Sequence, residues 1–425
     1  MEWAKLSGQH APTQETLREI YQSARSRAES GELLLFAPDV DDPFEAGIEF
    51  ELGRIADEDP NPDADLEGPD YATVAGLQDA LRAVRGQSVP RRPDFEPTVR
   101  EVADDYLKLW RTQHGLKETN TEQQKVATYD LFGGFWGARP IRDVRKKDAA
   151  AFVDALRQMD PLWARSSKAR AMTWAQLQAK FGGRARGMTD ATINRHMATL
   201  KSLWAWAQER DHCDGNNPFS GFHRKLKNGR NVQGYQPWEA DELKRLFDPA
   251  PKRADVQEIM LVAMYSGMRL DEIASLTRGQ VMQEAGVPFV QVVDAKTPAG
   301  IRRVPLHPAL SWLVDRAKGK LSARLWPGFN EEGPGKKAGA DAGKEFSRFK
   351  LSRGFADRQK AFHSFRKNFV GQLEAKGVPQ NEAALIVGHE RGFTFGTYGQ
   401  GISLQRMAEV VALVDYPGLT LPAVS

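Results

Sequence analysis

Apolar residues recur at intervals of three and four along much of the chain, and these stretches predict helices. Residues 15–28 show such a pattern. Past Pro93 it strengthens. Thr98 and Glu101 have the spacing of a capping box, and Val99, Val102, Tyr106, Leu107 and Trp110 follow on one face. Asp148 is placed to cap a second helix carrying Phe152, Val153 and Leu156. Thr189 is placed to cap a third, carrying Ile193, Met197, Leu200, Leu203, Trp204 and Ala207, with Asn217-Pro218 ending the pattern. Pro237 opens a further helix with Leu243, Leu246 and Phe247. Residues 290–293 and 301–306 read as the two strands of a hairpin turning through Thr297-Pro298-Ala299-Gly300. Pro308 begins another helix, residues 327–344 read as an exposed Gly/Lys/Ala-rich loop, and a short helix starts near Pro379. Leu404, Met407, Val410, Val411 and Val414 form a last apolar stripe. The fold class is mainly α with a small β-sheet, the stripes forming its core, and there is no internal repeat.

Composition adds bounds. With 425 residues, two or three domains are expected. The longest apolar run, residues 259–264, is too short for a transmembrane helix, and the N-terminus lacks the basic-then-apolar pattern of a signal peptide, so a cytoplasmic location without membrane association is expected. A single cysteine, Cys213, permits no intramolecular disulfide and no multi-cysteine zinc module. The formal charge of +3 hides an uneven distribution: residues 1–92 hold 19 acidic and 9 basic side chains, a net of −10, leaving +13 for residues 93–425. The break falls at Pro90-Arg91-Arg92-Pro93. It suggests an acidic N-terminal extension (1–92) that is partly helical, with residues 37–70 loop-like or disordered. A helical domain (93–222), a linker (223–236) and a C-terminal domain (237–425) follow. Two readings of the acidic extension stand open: a solvated appendage, or a regulatory segment competing with DNA for basic surface.

Basic residues gather on the polar side of the helical domain. Arg165, Lys168 and Arg170 lie in one stretch, Lys180, Arg184 and Arg186 in a Gly-containing loop, and Arg195 and Lys201 on the third helix. Such a set suits neutralisation of several phosphates. In the C-terminal domain, Arg269 lies at a loop-to-helix junction followed by Glu272, and Lys296 sits beside the hairpin turn. His363 and Arg366 open a helix, Gly388-His389 follows a short one, and Tyr398 comes nine residues later. To cut and rejoin a phosphodiester without a metal, a site needs a nucleophile, fixed cations for the transition state, a proton donor for the leaving oxygen and an acceptor for the nucleophile's proton. Arginine is the natural clamp.

The series Arg269, Lys296, His363-x-x-Arg366, Gly388-His389 and Tyr398 resembles the tyrosine recombinases, the phage-integrase family. The resemblance covers roughly residues 94–417. It includes Thr192-Ile193-Asn194-Arg195 and Asn217-Pro218-Phe219 in the helical domain, and the ending Asp415-Tyr416-Pro417. It implies a core-binding DNA-clamp domain followed by a tyrosine-recombinase catalytic domain. Tyr398 would attack the scissile phosphate to give a 3′-phosphotyrosyl link, Arg269 and Arg366 would clamp the non-bridging oxygens, and Lys296 would protonate the leaving 5′-oxygen. His363 would take the tyrosine proton or donate to the phosphate, His389 would hydrogen-bond the phosphate, and Glu272 would orient the site. No cofactor and no metal are implied.

The implied partners are double-stranded DNA attachment sites, a tetramer on DNA, and accessory bending or directionality factors. The implied function is a site-specific integrase of a mobile element. Its alternatives are a dimer-resolving recombinase, a non-catalytic DNA-binding regulator with this fold, and a type IB topoisomerase, which shares the tyrosine and arginine logic. The chain departs from the family pattern in having Lys367-Asn368 where the family often has His-Thr, and Gln400 where it often has His. Tyr416 is a rival nucleophile by type but misses the spacing, and is read as structural. The last apolar helix is read as packing in cis, or as docking on a neighbouring protomer.

Overall fold

A computed structural model describes residues 12–36, 41–58, 67–114, 119–163, 167–227, 234–294, 298–331, 335–389 and 402–421. The chain divides into two compact units, residues 1–116 with 121–225 and residues 226–425 with 117–120.

The first unit is helical among its described residues. Its opening helices, Gln14–Glu29, Pro43–Glu58 and Gly68–Val84, pack through Ala24, Ala28, Ile48, Leu77 and Ala80. Small residues let the first and third approach closely: a Cβ on Gly76 would lie 2.5 Å from the Tyr21 carbonyl oxygen. The loop predicted for residues 37–70 is thus corrected, because a full helix, Pro43–Glu58, lies inside it. Its acidic side chains are neutralised locally. Arg54 bonds both Glu51 and Glu58, and Arg85 bonds both Glu45 and Glu49, while Ile48 is fully buried.

Buried polar contacts join this helical group to the next segment of the unit. Asp79, with no exposed surface, accepts hydrogen bonds from Tyr21 Oη (2.9 Å) and from Arg92 Nε (2.6 Å). Tyr21 stacks on Phe95 at 4.4 Å, and Arg18 pairs with Glu101 at 2.6 Å.

A second core of the same unit gathers Leu107, Phe132, Phe152, Leu177, Leu200, Leu203 and Trp204 from helices Val99–His114, Asn120–Trp136, Lys146–Gln158, Trp174–Phe181 and Asp190–Gln208. The capping box forms, with Thr98 N donating to Glu101 Oε2 at 2.8 Å, and Thr189 Oγ1 accepts from Thr192 N at 3.3 Å. Asp148 acts from within its helix rather than before it, accepting from Arg145 N at 2.8 Å. Helix Asn120–Trp136 escapes the pattern reading because it buries Tyr129, Leu131, Phe132, Gly133 and Trp136, which fill more than one face and leave no single stripe.

In the second unit, helix Ala254–Ser266 is buried along its length from Val256 onward. Around it lie helices Ala240–Phe247, Gly339–Ser352, His363–Ala375, Gln380–Val387 and Leu404–Val411, with an antiparallel sheet of β1 (Val281–Glu284), β2 (Val287–Val292) and β3 (Arg302–Pro305) in that order. The hairpin expected from sequence is β2–β3, in register Val290↔Val304. The added strand β1 has only Val281 partly covered, so no alternation announces it. Residues 327–344 also differ from the exposed loop expected: Phe329, Ala338 and Ala342 are buried, and a helix begins at Gly339. The last helix packs against its own chain, with Val410, Val411 and Val414 in the core, and the buried Tyr416 donates its hydroxyl to the Met264 carbonyl at 3.0 Å. Among the described residues no helix is long and apolar enough to cross a membrane.

Candidate active site

Helix Ala254–Ser266 stops at Gly267, whose left-handed φ of +63° turns the chain toward Arg269; a Cβ there would lie 2.5 Å from the Phe369 ring. Arg269 precedes helix Leu270–Ala274. Its backbone N–H donates to Glu272 Oε2 at 2.9 Å and its Nη1 to Glu272 Oε1 at 2.8 Å. Arg366 projects from the first turn of helix His363–Ala375 and is almost wholly buried. Its Nη1 donates to the Gly267 carbonyl and its Nη2 to the Val387 carbonyl, both at 2.6 Å.

A third guanidinium joins these two. Arg302, the first residue of β3, donates Nε to the Ile386 carbonyl (2.7 Å), Nη1 to Gly300 (2.8 Å) and Nη2 to Glu272 Oε2 (2.9 Å). Arg269 Nη2 reaches the Gly388 carbonyl at 3.3 Å. The carbonyls of Ile386, Val387 and Gly388 therefore each accept from a different arginine. These are the carbonyls at the C-terminal end of helix Gln380–Val387, which its own ladder leaves unpaired and where the helix dipole is negative. That end, together with the buried Glu272 carboxylate, is what holds three like charges side by side. Burial pushes the Glu272 carboxyl up, but the hydrogen bonds and charge of Arg302, then of Arg269, outweigh it and hold it below the ordinary range. Burial, then Arg269 and Arg302, push Arg366 down to about 9, which leaves it charged at neutral pH.

Two imidazoles border this cluster. His389 follows Gly388, whose φ of +69° ends the helix, and its N–H donates to the Ala384 carbonyl at 3.0 Å. Gly388 has no room for a side chain: a Cβ would lie 2.9 Å from Arg302 Nη1 and 3.1 Å from the Ala299 carbonyl oxygen. His363 opens the Arg366 helix, exposed but with the Tyr235 ring 5.5 Å away. Both imidazoles titrate below their ordinary range. For each the first cause is burial of the ring; the second is Arg366 and the third Arg269. Both are therefore neutral at neutral pH and able to accept a proton.

The structure thus brings together Arg269, Glu272, His363, Arg366 and His389. Lys296, Tyr398 and Arg165 lie outside the described residues. Near the hairpin, Lys337 pairs with Asp294 (3.0 Å) and Asp271 (3.3 Å), tying the end of β2 to the Arg269 helix. In the first unit, Lys168, Arg170, Lys180, Arg184, Arg186, Arg195 and Lys201 are all exposed. Arg184 lies 3.8 Å from Asp160, whereas Arg195 and Lys201 have no carboxylate at ion-pairing distance among the described residues. Arg302 escaped the sequence reading. The signal was present, since alternation about the buried Val304 places position 302 on the inward face of its strand, where a charged residue demands a partner.

No protein-family model matches the chain, and no curated protein sequence matches it. Among solved structures, the chain is similar to several integrases. One is a lambda integrase dimer bound to a core site, at 16% identity over 84% of this chain and 91% of that one, with a TM-score of 0.49. Another is a lambda integrase tetramer bound to a Holliday junction, at 16% identity over 81% and 94%, also at 0.49. A third is the integrase of transposon Tn1549 with transposon right end DNA, at 17% identity over 74% and 98%, with a TM-score of 0.48.

Proposed function

We propose that the chain is a site-specific DNA recombinase, an integrase of a mobile element, acting through a covalent phosphotyrosyl intermediate. One observation carries the reading most. Three guanidiniums, of Arg269, Arg302 and Arg366, converge on one helix end beside two neutral imidazoles, and all but Arg302 match the series that the tyrosine recombinases use in this order. A preformed cluster of fixed cations is what a phosphoryl transition state needs in the absence of a metal ion.

Arg269, over a third of whose side chain is exposed, presents the accessible edge of that cluster. Arg366 has spent two N–H groups on carbonyls and retains others for a non-bridging oxygen. In the step, the Tyr398 oxygen forms a bond to phosphorus as its proton passes to His363. The bond from phosphorus to the 5′-oxygen breaks, and that oxygen takes a proton from Lys296. The 5′-hydroxyl of another strand then attacks the phosphotyrosine and releases Tyr398. One ester replaces another at each stage, so no nucleotide cofactor is consumed. Exchanging two duplexes cuts four strands, which calls for four protomers on the DNA. The exposed basic residues from Lys168 to Lys201, with Arg165, serve as phosphate contacts of the clamp.

The wild-type chain is expected to become covalently attached to nicked DNA carrying its core site. Tyr398→Phe is expected to bind the same DNA with similar affinity and form no adduct, as read by denaturing gel. An adduct from the Phe variant would reassign the nucleophile. A wild type that binds but never traps would favour a non-catalytic regulator, and efficient relaxation of plasmids lacking a specific site would favour a topoisomerase.

A further inference from the structure

The segment entering the second unit is pinned along the start of the His363 helix. Asn368 closes a two-bond clip on Trp238: Trp238 N donates to Asn368 Oδ1 at 2.9 Å, and Asn368 Nδ2 donates to the Trp238 carbonyl at 2.7 Å. Two residues earlier, Gln236 N donates to the Gln359 carbonyl at 2.9 Å, and Lys360 Nζ donates to the Pro237 carbonyl at 2.5 Å. The Trp238 side chain is buried against Phe355 (5.2 Å) and Phe365 (5.9 Å), the latter adjacent to Arg366. These fixed points set the backbone of residues 236–238. The next residue outward is Tyr235, 45% exposed, with its ring 5.5 Å from that of His363 and tilted by 50°.

Asn368 is one of the positions at which this chain departs from the family pattern. A threonine offers a single oxygen there, whereas the asparagine amide offers a separate donor and acceptor matched to a backbone N–H and C=O. On the helix, residues two apart point to opposite sides. Arg366 reaches into the cation cluster while Asn368 grips the incoming segment, so the clip fixes the roll of the helix about its axis as well as the place of Tyr235.

Building on the recombinase reading, we propose that Tyr235 is a positioning residue for His363, seated by the Asn368 clip. Its ring limits rotation of the imidazole and shields one side from water. The charged and titratable groups that act on the imidazole are Arg366, Arg269, Lys367 and His389. The hydroxyl of Tyr235 takes no part, so ring and hydroxyl are separable by substitution.

Two measurements on the full chain test this. The first needs no DNA: the His363 imidazole is titrated by NMR, with its signal assigned by its loss in His363→Gln. Tyr235→Phe should leave the midpoint in place. Tyr235→Ala and Asn368→Ala should move it upward, because a shielding face is lost while the surrounding cations remain. The second is cleavage of nicked core-site DNA. Tyr235→Ala and Asn368→Ala should slow adduct formation about tenfold through misplacement of His363, with DNA affinity kept within about twofold of wild type, and Tyr235→Phe should cleave like wild type. An unmoved midpoint in both alanine variants would overturn the proposal. So would a Tyr235→Phe variant as slow as Tyr235→Ala, since the hydroxyl would then be acting. If the wild type forms no adduct, the recombinase reading fails, while the titration still decides whether Tyr235 positions His363.

Discussion

Glu272 shows how single residues make this site possible. Its side chain is 5% exposed, and its two oxygens are shared between Arg269 and Arg302, so one carboxylate offsets part of the repulsion among three guanidiniums. Glu272→Gln keeps the shape and removes the charge. It should destabilise the fold by about 3 kcal/mol at pH 7, as expected when a buried ion pair loses one partner. Because its carboxyl is held below the ordinary range, this stabilisation is present above the unfolded value of about 4.3 and is lost as pH falls through the lower folded value. The difference between the two proteins in denaturant titrations should therefore shrink as pH falls below the unfolded value of about 4.3, and vanish only once the folded carboxyl is itself protonated; a constant difference across pH would mean that Glu272 acts through shape alone. Glu272, the imidazoles and two of the arginines were singled out in the sequence through the resemblance to the tyrosine recombinases, and the structure brings them together. Arg302 was passed over: alternation about Val304 marks its inward face, but which carboxylate and carbonyls its guanidinium meets there is decided by packing.

Among the elements, helix Gln380–Val387 matters most, since its end is where the cations meet. Gly388 closes it with a left-handed turn in contact with Arg302. Gly388→Ala must both adopt φ near +69° and displace a guanidinium. The expected cost is about 1–3 kcal/mol. Adduct formation should fall by more than the unfolded fraction explains, as seen by comparing denaturation curves with cleavage rates at the same temperature. Wild-type cleavage by Gly388→Ala would detach the helix end from the chemistry. Elements with a one-sided stripe, such as Asp190–Gln208 and Leu404–Val411, could be read from the chain. Helix Asn120–Trp136 and strand β1 could not, the first being covered on several faces and the second on almost none. Helix Pro43–Glu58 was hidden by its acidic content, which its arginine neighbours neutralise only once the chain has folded.

For the molecule as a whole, the net charge of +3 conceals a separation that bears on the proposed binding of DNA. Most of the described acidic residues of the N-terminal segment lie in helices of the first unit, which also holds the exposed basic set. Of that set, Arg195 and Lys201 lie on one helix and have no carboxylate at ion-pairing distance among the described residues. Replacing both with glutamine should weaken DNA binding and reduce the slope of log affinity against log salt by about 2, one released counterion for each lost phosphate contact. Binding isotherms at several salt concentrations measure this, and an unchanged slope would move both residues off the interface.

The linear chain by itself determined the mainly helical class, the β2–β3 hairpin, the principal caps and the ordered set of chemical groups, because periodicity and residue type are local properties. Only the tertiary structure decided what those groups meet. Three arginines far apart in sequence share the last carbonyls of one helix, and a tyrosine more than a hundred residues before His363 lies against its ring. Such meetings depend on long-range packing and on the satisfaction of buried polar atoms, which no local pattern encodes.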